Sequence, residues 1–142
     1  MTYAPRSRAA RTAGAYANVG LESEVLGATP ERLISLLFRG ALAATAQARR
    51  HMGESHATER GQAISKAIDI VETGLKASVD TERGGDVARH LIAAYELIVR
   101  NLLMANLNND PDKLASAEKL LGDLADAWRV AVDPRFEQVP TA

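Results

Sequence analysis

Apolar residues recur at intervals of three and four along most of the chain, and this pattern predicts four long amphipathic helices. The first is expected from Pro30 to about Met52, and the second over about residues 57–79. The third is expected from Val87 to about Asn106, and the fourth from Pro111 to about Val132. Helices of roughly 20 residues are about 30 Å long. Because the predicted loops are short, the sequence indicates an all-α fold, an antiparallel four-helix bundle.

Each predicted helix has a wide apolar face that should lie in the core. On the first helix this face contains Leu33, Leu37, Ala41, Ala44 and Ala48. On the second it contains Ile64, Ala67, Ile68, Val71, Leu75 and Val79. On the third it contains Leu91, Ile92, Tyr95, Ile98, Val99, Leu102 and Leu103. On the fourth it contains Leu114, Ala117, Leu120, Leu121, Leu124 and Trp128.

Capping residues mark the expected helix ends. Thr29 can accept from free amides of the first turn, and Pro30 suits the first helical position, where its missing N–H costs nothing. Gly84 and Gly85 predict a turn with positive backbone angles, followed by Asp86 as the N-cap of the third helix. These signals place the bundle at residues 29–132, after a flexible leader (1–28) and before a flexible tail (133–142). The leader is expected to form at most one short helical turn near residues 13–18.

Composition narrows the classes of function. With 142 residues the chain is expected to form one domain, and the absence of cysteine excludes disulfides and thiolate metal sites. No apolar run approaches the roughly 20 residues that span a bilayer, so a cytoplasmic location without membrane insertion is expected. The leader carries Arg6, Arg8 and Arg11 without interleaved aromatic residues, which does not favour nucleic-acid binding.

Candidate chemistry is sparse. His51 and His56 flank Gly53 without the Glu-x-x-His spacing of di-iron bundles, so no metal site is expected. Asp123 and Asp126 have no companion base or nucleophile, so we expect neither catalysis nor a cofactor. His90 leaves one enzyme-like alternative open, a histidine phosphotransfer bundle. A helical adaptor for another partner is a second alternative.

Several segments, in order, resemble the FliS-type flagellar secretion chaperones. They are Ala-Tyr-Ala-Asn-Val-Gly-Leu-Glu-Ser at 15–23, Thr29-Pro30 followed by 33–41, and the segments 65–75, 84–88, 101–110 and 125–128. The single residues Leu91 and Tyr95 also match. The resemblance implies a cytosolic helical chaperone that binds the disordered C-terminal segment of flagellin, its client, and prevents premature polymerisation before export. It also implies delivery to the flagellar type III export apparatus through the cytosolic domain of the export gate.

The resemblance implies partner contacts by Tyr16, because family members use the matching tyrosine in this way. The family commonly has an acidic residue where this chain has Arg39, so contact roles are not carried over to that position. Apolar residues of the leader and of the first two helices form the expected client-binding or partner-binding set: Tyr16, Val19, Leu21, Leu33, Leu37, Ile68 and Leu75. We further hypothesise that the leader competes with the client for part of one groove.

Overall fold

The first helix begins where its capping residues predict in the computed structural model, which describes residues 27–132. The hydroxyl oxygen of Thr29 accepts a hydrogen bond from the Arg32 N–H at 3.1 Å, and Pro30 takes the first helical position. This helix, α1, spans Pro30–Arg50, with His51 as its C-cap. The predicted leader up to residue 26, including its short helical turn, and the tail from residue 133 lie outside the described residues.

Three further helices follow within residues 27–132. A 3₁₀ turn at Glu54–His56 leads into α2, Ala57–Asp69, which continues as a π-helical segment, Ile70–Leu75, and a 3₁₀ turn, Lys76–Ser78. The last two helices are α3, Gly85–Asn108, and α4, Pro111–Val132. No strand occurs between residues 27 and 132. The predicted all-α four-helix bundle is therefore confirmed.

Side-chain contacts between helix ends fix the antiparallel arrangement. Trp128 Nε1, near the end of α4, donates to Ser35 Oγ near the start of α1 at 3.1 Å. At the opposite ends of these helices, Arg49 pairs with Glu118. Helices α1 and α4 therefore run in opposite directions and pack against each other.

The core lies where the four apolar faces meet. Ile98 and Leu102 of α3 are completely inaccessible, and the Tyr95 ring lies 6.5 Å from the Phe38 ring of α1. Trp128 is half-buried against this core. Among the side chains expected to be buried, Leu103 is the clear exception, because it is 55% exposed on α3.

The start of α3 also differs from the prediction. Asp86 lies inside the first turn and forms an ion pair with Arg89, while Gly84 is the N-cap. Gly84 provides no side-chain capping bond to α3. In the turn before the helix, Asp80 Oδ1 accepts from the N–H groups of Glu82 and Arg83. The prediction that Asp86 caps α3 is therefore wrong, because the helix begins one residue before Asp86.

None of the helices that the structure describes combines the length and the apolar character that a bilayer crossing requires.

Burial of Tyr95 predicts a stability loss at alkaline pH. Desolvation raises the pKa of its phenol from 10.0 to about 12, because the buried site disfavours the charged form. Because the pKa is higher in the folded state, the stability that the neutral phenol contributes is fully present below pH 10. That stability is lost as the pH rises from 10 towards 12. The loss should approach roughly 3 kcal/mol.

The measurement is the urea unfolding midpoint of wild type and Tyr95→Phe across this pH range. Wild type should lose more stability than Tyr95→Phe, and tyrosinate absorbance should show a late-titrating phenol that Tyr95→Phe lacks. Parallel pH curves for the two proteins would contradict the assignment.

Candidate functional site

The residues that the sequence predicts as contacts lie in three different environments. Tyr16, Val19 and Leu21 lie outside the described residues. Leu37 and Leu75 are fully buried in the core, so neither has surface available for a partner while the bundle is closed. Leu33 on α1 and Ile68 on α2 are half-buried and retain part of their surface. The structure therefore leaves two of the four described positions accessible from solvent.

Helix α3 carries most of the large apolar side chains that are exposed among the described residues. Six large apolar side chains are clearly exposed between residues 27 and 132, and five of them belong to α3: Val87, Leu97, Leu103, Met104 and Leu107. The last four, at 48%, 55%, 37% and 79% exposed, follow helical spacing; we call them the α3 stripe. Contiguous exposed apolar side chains of this kind mark interaction surfaces in soluble proteins.

Sequence reasoning found α3 but placed Leu103 on its buried face, and it assigned the other three residues of the stripe to no surface. The missed signal is the run Leu102-Leu103-Met104-Ala105, in which apolar residues surround the helix instead of recurring on one side. Three neighbouring helices cannot cover every side of a helix at the bundle's corner. Leu102 and Ala105 are therefore buried, whereas Leu103 and Met104 remain exposed.

A depression of about 700 Å³ lies beside the stripe, between α2 and α3. Its wall on α3 is Asn106, which lies between Leu103 and Leu107 in sequence. Small and polar residues of α2 form the rest: Ala57, Thr58, Gly61, Gln62, Ser65 and Lys66. The stripe and the depression thus adjoin along the last turns of α3, and together they form a surface to which an amphipathic helical segment can bind.

A buried arginine holds the two helices at this depression. Arg60 Nη1 donates to Asn109 Oδ1 at 2.9 Å, and its Nε and Nη2 donate to Asn106 Oδ1 and the Asn106 carbonyl oxygen, both at 3.4 Å. The guanidinium lies at the C-terminus of α3, where the helix dipole favours a positive charge. Asn109 itself adopts a left-handed conformation, with φ of 50°, as the cap of α3. These bonds fix the position of Asn106 relative to α2.

A second groove, of about 760 Å³, lies between the first half of α1 and the last turns of α4. Phe38, Leu42 and Trp128 provide its apolar lining, and Arg39 is among the charged residues around it. The hydrogen bond from Trp128 to Ser35 crosses between the two helices here. Arg39 thus lines a groove of mixed apolar and charged character.

The described histidines lie apart from one another on the bundle, except for one pair. His90 is exposed on α3, and the rings of His51 and His56 lie 5.4 Å apart beside the turn between α1 and α2. No three metal-ligating side chains converge anywhere in residues 27–132. Asp126 pairs with Arg129 one turn away, as expected of a solvated helix face.

Comparison with known proteins finds relatives that belong to one family. The family model of the flagellar protein FliS matches residues 12–135. The flagellar secretion chaperone FliS of Salmonella typhimurium is 44% identical over 115 residues, 81% of this chain and 85% of the relative. Its counterpart from Escherichia coli is 40% identical over 133 residues, 93% of this chain and 98% of the relative. The chaperone FliSB of Pseudomonas aeruginosa is 40% identical over 80% of this chain and 89% of its own. The chain therefore belongs to the FliS family of flagellar secretion chaperones.

Proposed function

We propose that this chain is a cytoplasmic export chaperone that binds the disordered C-terminal segment of flagellin and prevents its premature polymerisation. In this proposal it assists delivery of flagellin to the flagellar type III export apparatus by contacting the cytosolic domain of the export gate. It needs no cofactor, catalyses no reaction, binds no nucleic acid and does not insert into the membrane. The observation that carries the proposal is the α3 stripe, with Leu107 79% exposed beside an open depression.

The physical requirements of such a chaperone fit this surface. A disordered client loses conformational entropy when it binds, so affinity must come from a large area of contact. The α3 stripe runs from Leu97 to Leu107, ten residue steps or about 15 Å of helix. That length matches roughly three turns of a bound helical segment, with the depression offering further contact on one side.

Calorimetric titration with the C-terminal segment of flagellin from the same organism tests the proposal. We expect a one-to-one complex with a negative heat-capacity change, because apolar surface leaves water. A scrambled segment of the same composition is the control. Absence of a complex with the native segment would overturn the flagellin proposal and favour an adaptor for another partner.

The leader residues Tyr16, Val19 and Leu21 are proposed partner contacts that also compete with the client. Leu33 and Ile68 remain in the proposed contact set because part of each is accessible. Contacts by Leu37 or Leu75 would require the bundle to open, since both lie in the core.

Deletion of residues 1–24 is expected to leave flagellin-segment binding intact or tighter, because it removes an internal competitor for the groove. The same titration measures this, with Tyr16→Ala as the point variant of the leader. A large loss of affinity on deletion would show instead that the leader contacts the client directly.

A further inference from the structure

A positive charge lies within the α3 stripe. Arg100 is exposed on α3, three residues after Leu97 and three before Leu103, so it lies on the same side of the helix. Among the described residues no carboxylate lies within ion-pairing distance of it. The stripe is therefore an apolar surface with one uncompensated cation between its leucines.

The nearest carboxylate in sequence is engaged elsewhere. Glu96 stands four residues before Arg100, a spacing that favours a pair between them on a helix. Its Oε1 instead lies 3.3 Å from Lys76 Nζ, and Lys76 also lies 3.7 Å from Glu72. This link between α3 and the end of α2 draws Glu96 away from the stripe and leaves Arg100 available to a ligand.

Covering the stripe would remove water from Arg100. An ion that loses its hydration without a partner is strongly disfavoured, whereas a guanidinium that meets a carboxylate forms two parallel hydrogen bonds. A purely apolar segment is therefore a poor match for this surface. A better match is an amphipathic segment whose apolar side chains pack against the leucines and whose aspartate or glutamate pairs with Arg100.

We infer that the α3 stripe binds an acidic amphipathic helical segment of the flagellin C-terminus, in which one carboxylate pairs with Arg100 and sets the register. This inference rests on the proposed function and specifies its ligand chemistry. Apolar side chains on either side of that carboxylate pack against Leu97, Leu103, Met104 and Leu107. The leucines supply most of the affinity, and the ion pair selects which segment, in which alignment, fits.

The same charge argues against a second copy of this chain as the occupant. Arg100 lies close to the middle of the stripe, which runs from Leu97 to Leu107. If two stripes packed face to face about a two-fold axis, the two Arg100 side chains would be brought together, and like charges repel. A partner that places a carboxylate opposite Arg100 avoids this repulsion between like charges.

The test compares Arg100→Glu with Arg83→Glu in titrations against the flagellin segment. Both variants change the net charge equally, but Arg83 is an exposed loop residue before α3. We expect Arg100→Glu to weaken binding by at least about tenfold and Arg83→Glu to change it less than about twofold. Arg100→Gln, which removes the charge without reversing it, should fall between wild type and Arg100→Glu. Circular dichroism and the unfolding midpoint confirm that each variant is folded.

A charge swap then tests the pairing itself. Each acidic residue of the flagellin segment is replaced in turn by lysine and titrated against wild type and Arg100→Glu. One of these lysine replacements should weaken binding of the segment to wild type. The same replacement should restore most of the affinity that Arg100→Glu has lost for the segment.

The outcomes separate this inference from the proposed function. If wild type binds no flagellin segment, the proposed function fails and the inference fails with it. If wild type binds and Arg100→Glu behaves like Arg83→Glu, only the inference is overturned. It is also overturned if no swap restores binding, if deletion of residues 1–24 abolishes the Arg100→Glu effect, or if wild type dimerises through the stripe.

Discussion

Replacing Leu103 and Leu107 together with serine is expected to weaken flagellin-segment binding about thirtyfold or more, with little change in the free energy of unfolding. Both side chains are mostly exposed in the unbound protein, at 55% and 79%, so the fold gains little from them. Burying their remaining apolar surface against a client should stabilise the complex by roughly 2 kcal/mol or more. Each 1.4 kcal/mol corresponds to about tenfold in affinity. Calorimetric titration and urea unfolding measure the two quantities separately.

A matched variant separates this surface from exposed apolar residues in general. Val87 and Val130 are 67% and 41% exposed and lie outside the stripe, on α3 and α4 respectively. Serine at both positions removes two apolar side chains from the surface, as the leucine variant does, and should leave affinity close to wild type. Equal losses in the two variants would show that the client contacts the bundle diffusely and not through the stripe.

The position of this surface could not be predicted from the periodicity of α3. The sequence places Leu102 and Leu103 side by side in one apolar run, and either could face the core. Which of them is buried depends on how α3 is rotated against its neighbours, a property of the assembled bundle. The sequence predicts an interaction correctly where both partners are close in the chain. Thr29 is an example, because its side chain caps α1 by accepting from the N–H three residues later.

The π-helical segment at the end of α2 is a second feature that helical periodicity does not predict. Ile70, Val71, Gly74 and Leu75 are all buried in six consecutive residues, against α1 and α3. The wider turn of a π-helix brings adjacent pairs of residues to the same side of the helix. Intervals of three and four predicted Val71 and Leu75 in the core but gave no sign of Ile70 or Gly74. The packing demand of two neighbouring helices, and not the propensity of this stretch, explains the departure.

Gly84 and Gly85 illustrate how one sequence signal covers two physical requirements. Gly85 has φ of +53°, the positive angle that the pair predicts, and an added Cβ there would meet nothing within 4 Å. Gly84 has an ordinary φ of −80°, so the need for glycine there is different. A Cβ on Gly84 would lie 2.4 Å from Ala88 Cβ and 2.7 Å from the Asp80 carbonyl oxygen. Close approach of the loop to α3 is what excludes a side chain at this position.

Gly84→Ala should therefore destabilise the bundle by about 3 kcal/mol, and Gly85→Ala by only about 1 kcal/mol. The larger loss follows because the Gly84 N–H donates to the Asp80 carbonyl oxygen at 2.9 Å, so the loop cannot move away from the new methyl group without losing this bond. The added methyl group of Gly85→Ala contacts nothing, so the only cost is that alanine disfavours a positive φ. Urea unfolding followed by circular dichroism measures both variants. If Gly85→Ala proves the more destabilising, backbone angle and not close approach governs this turn.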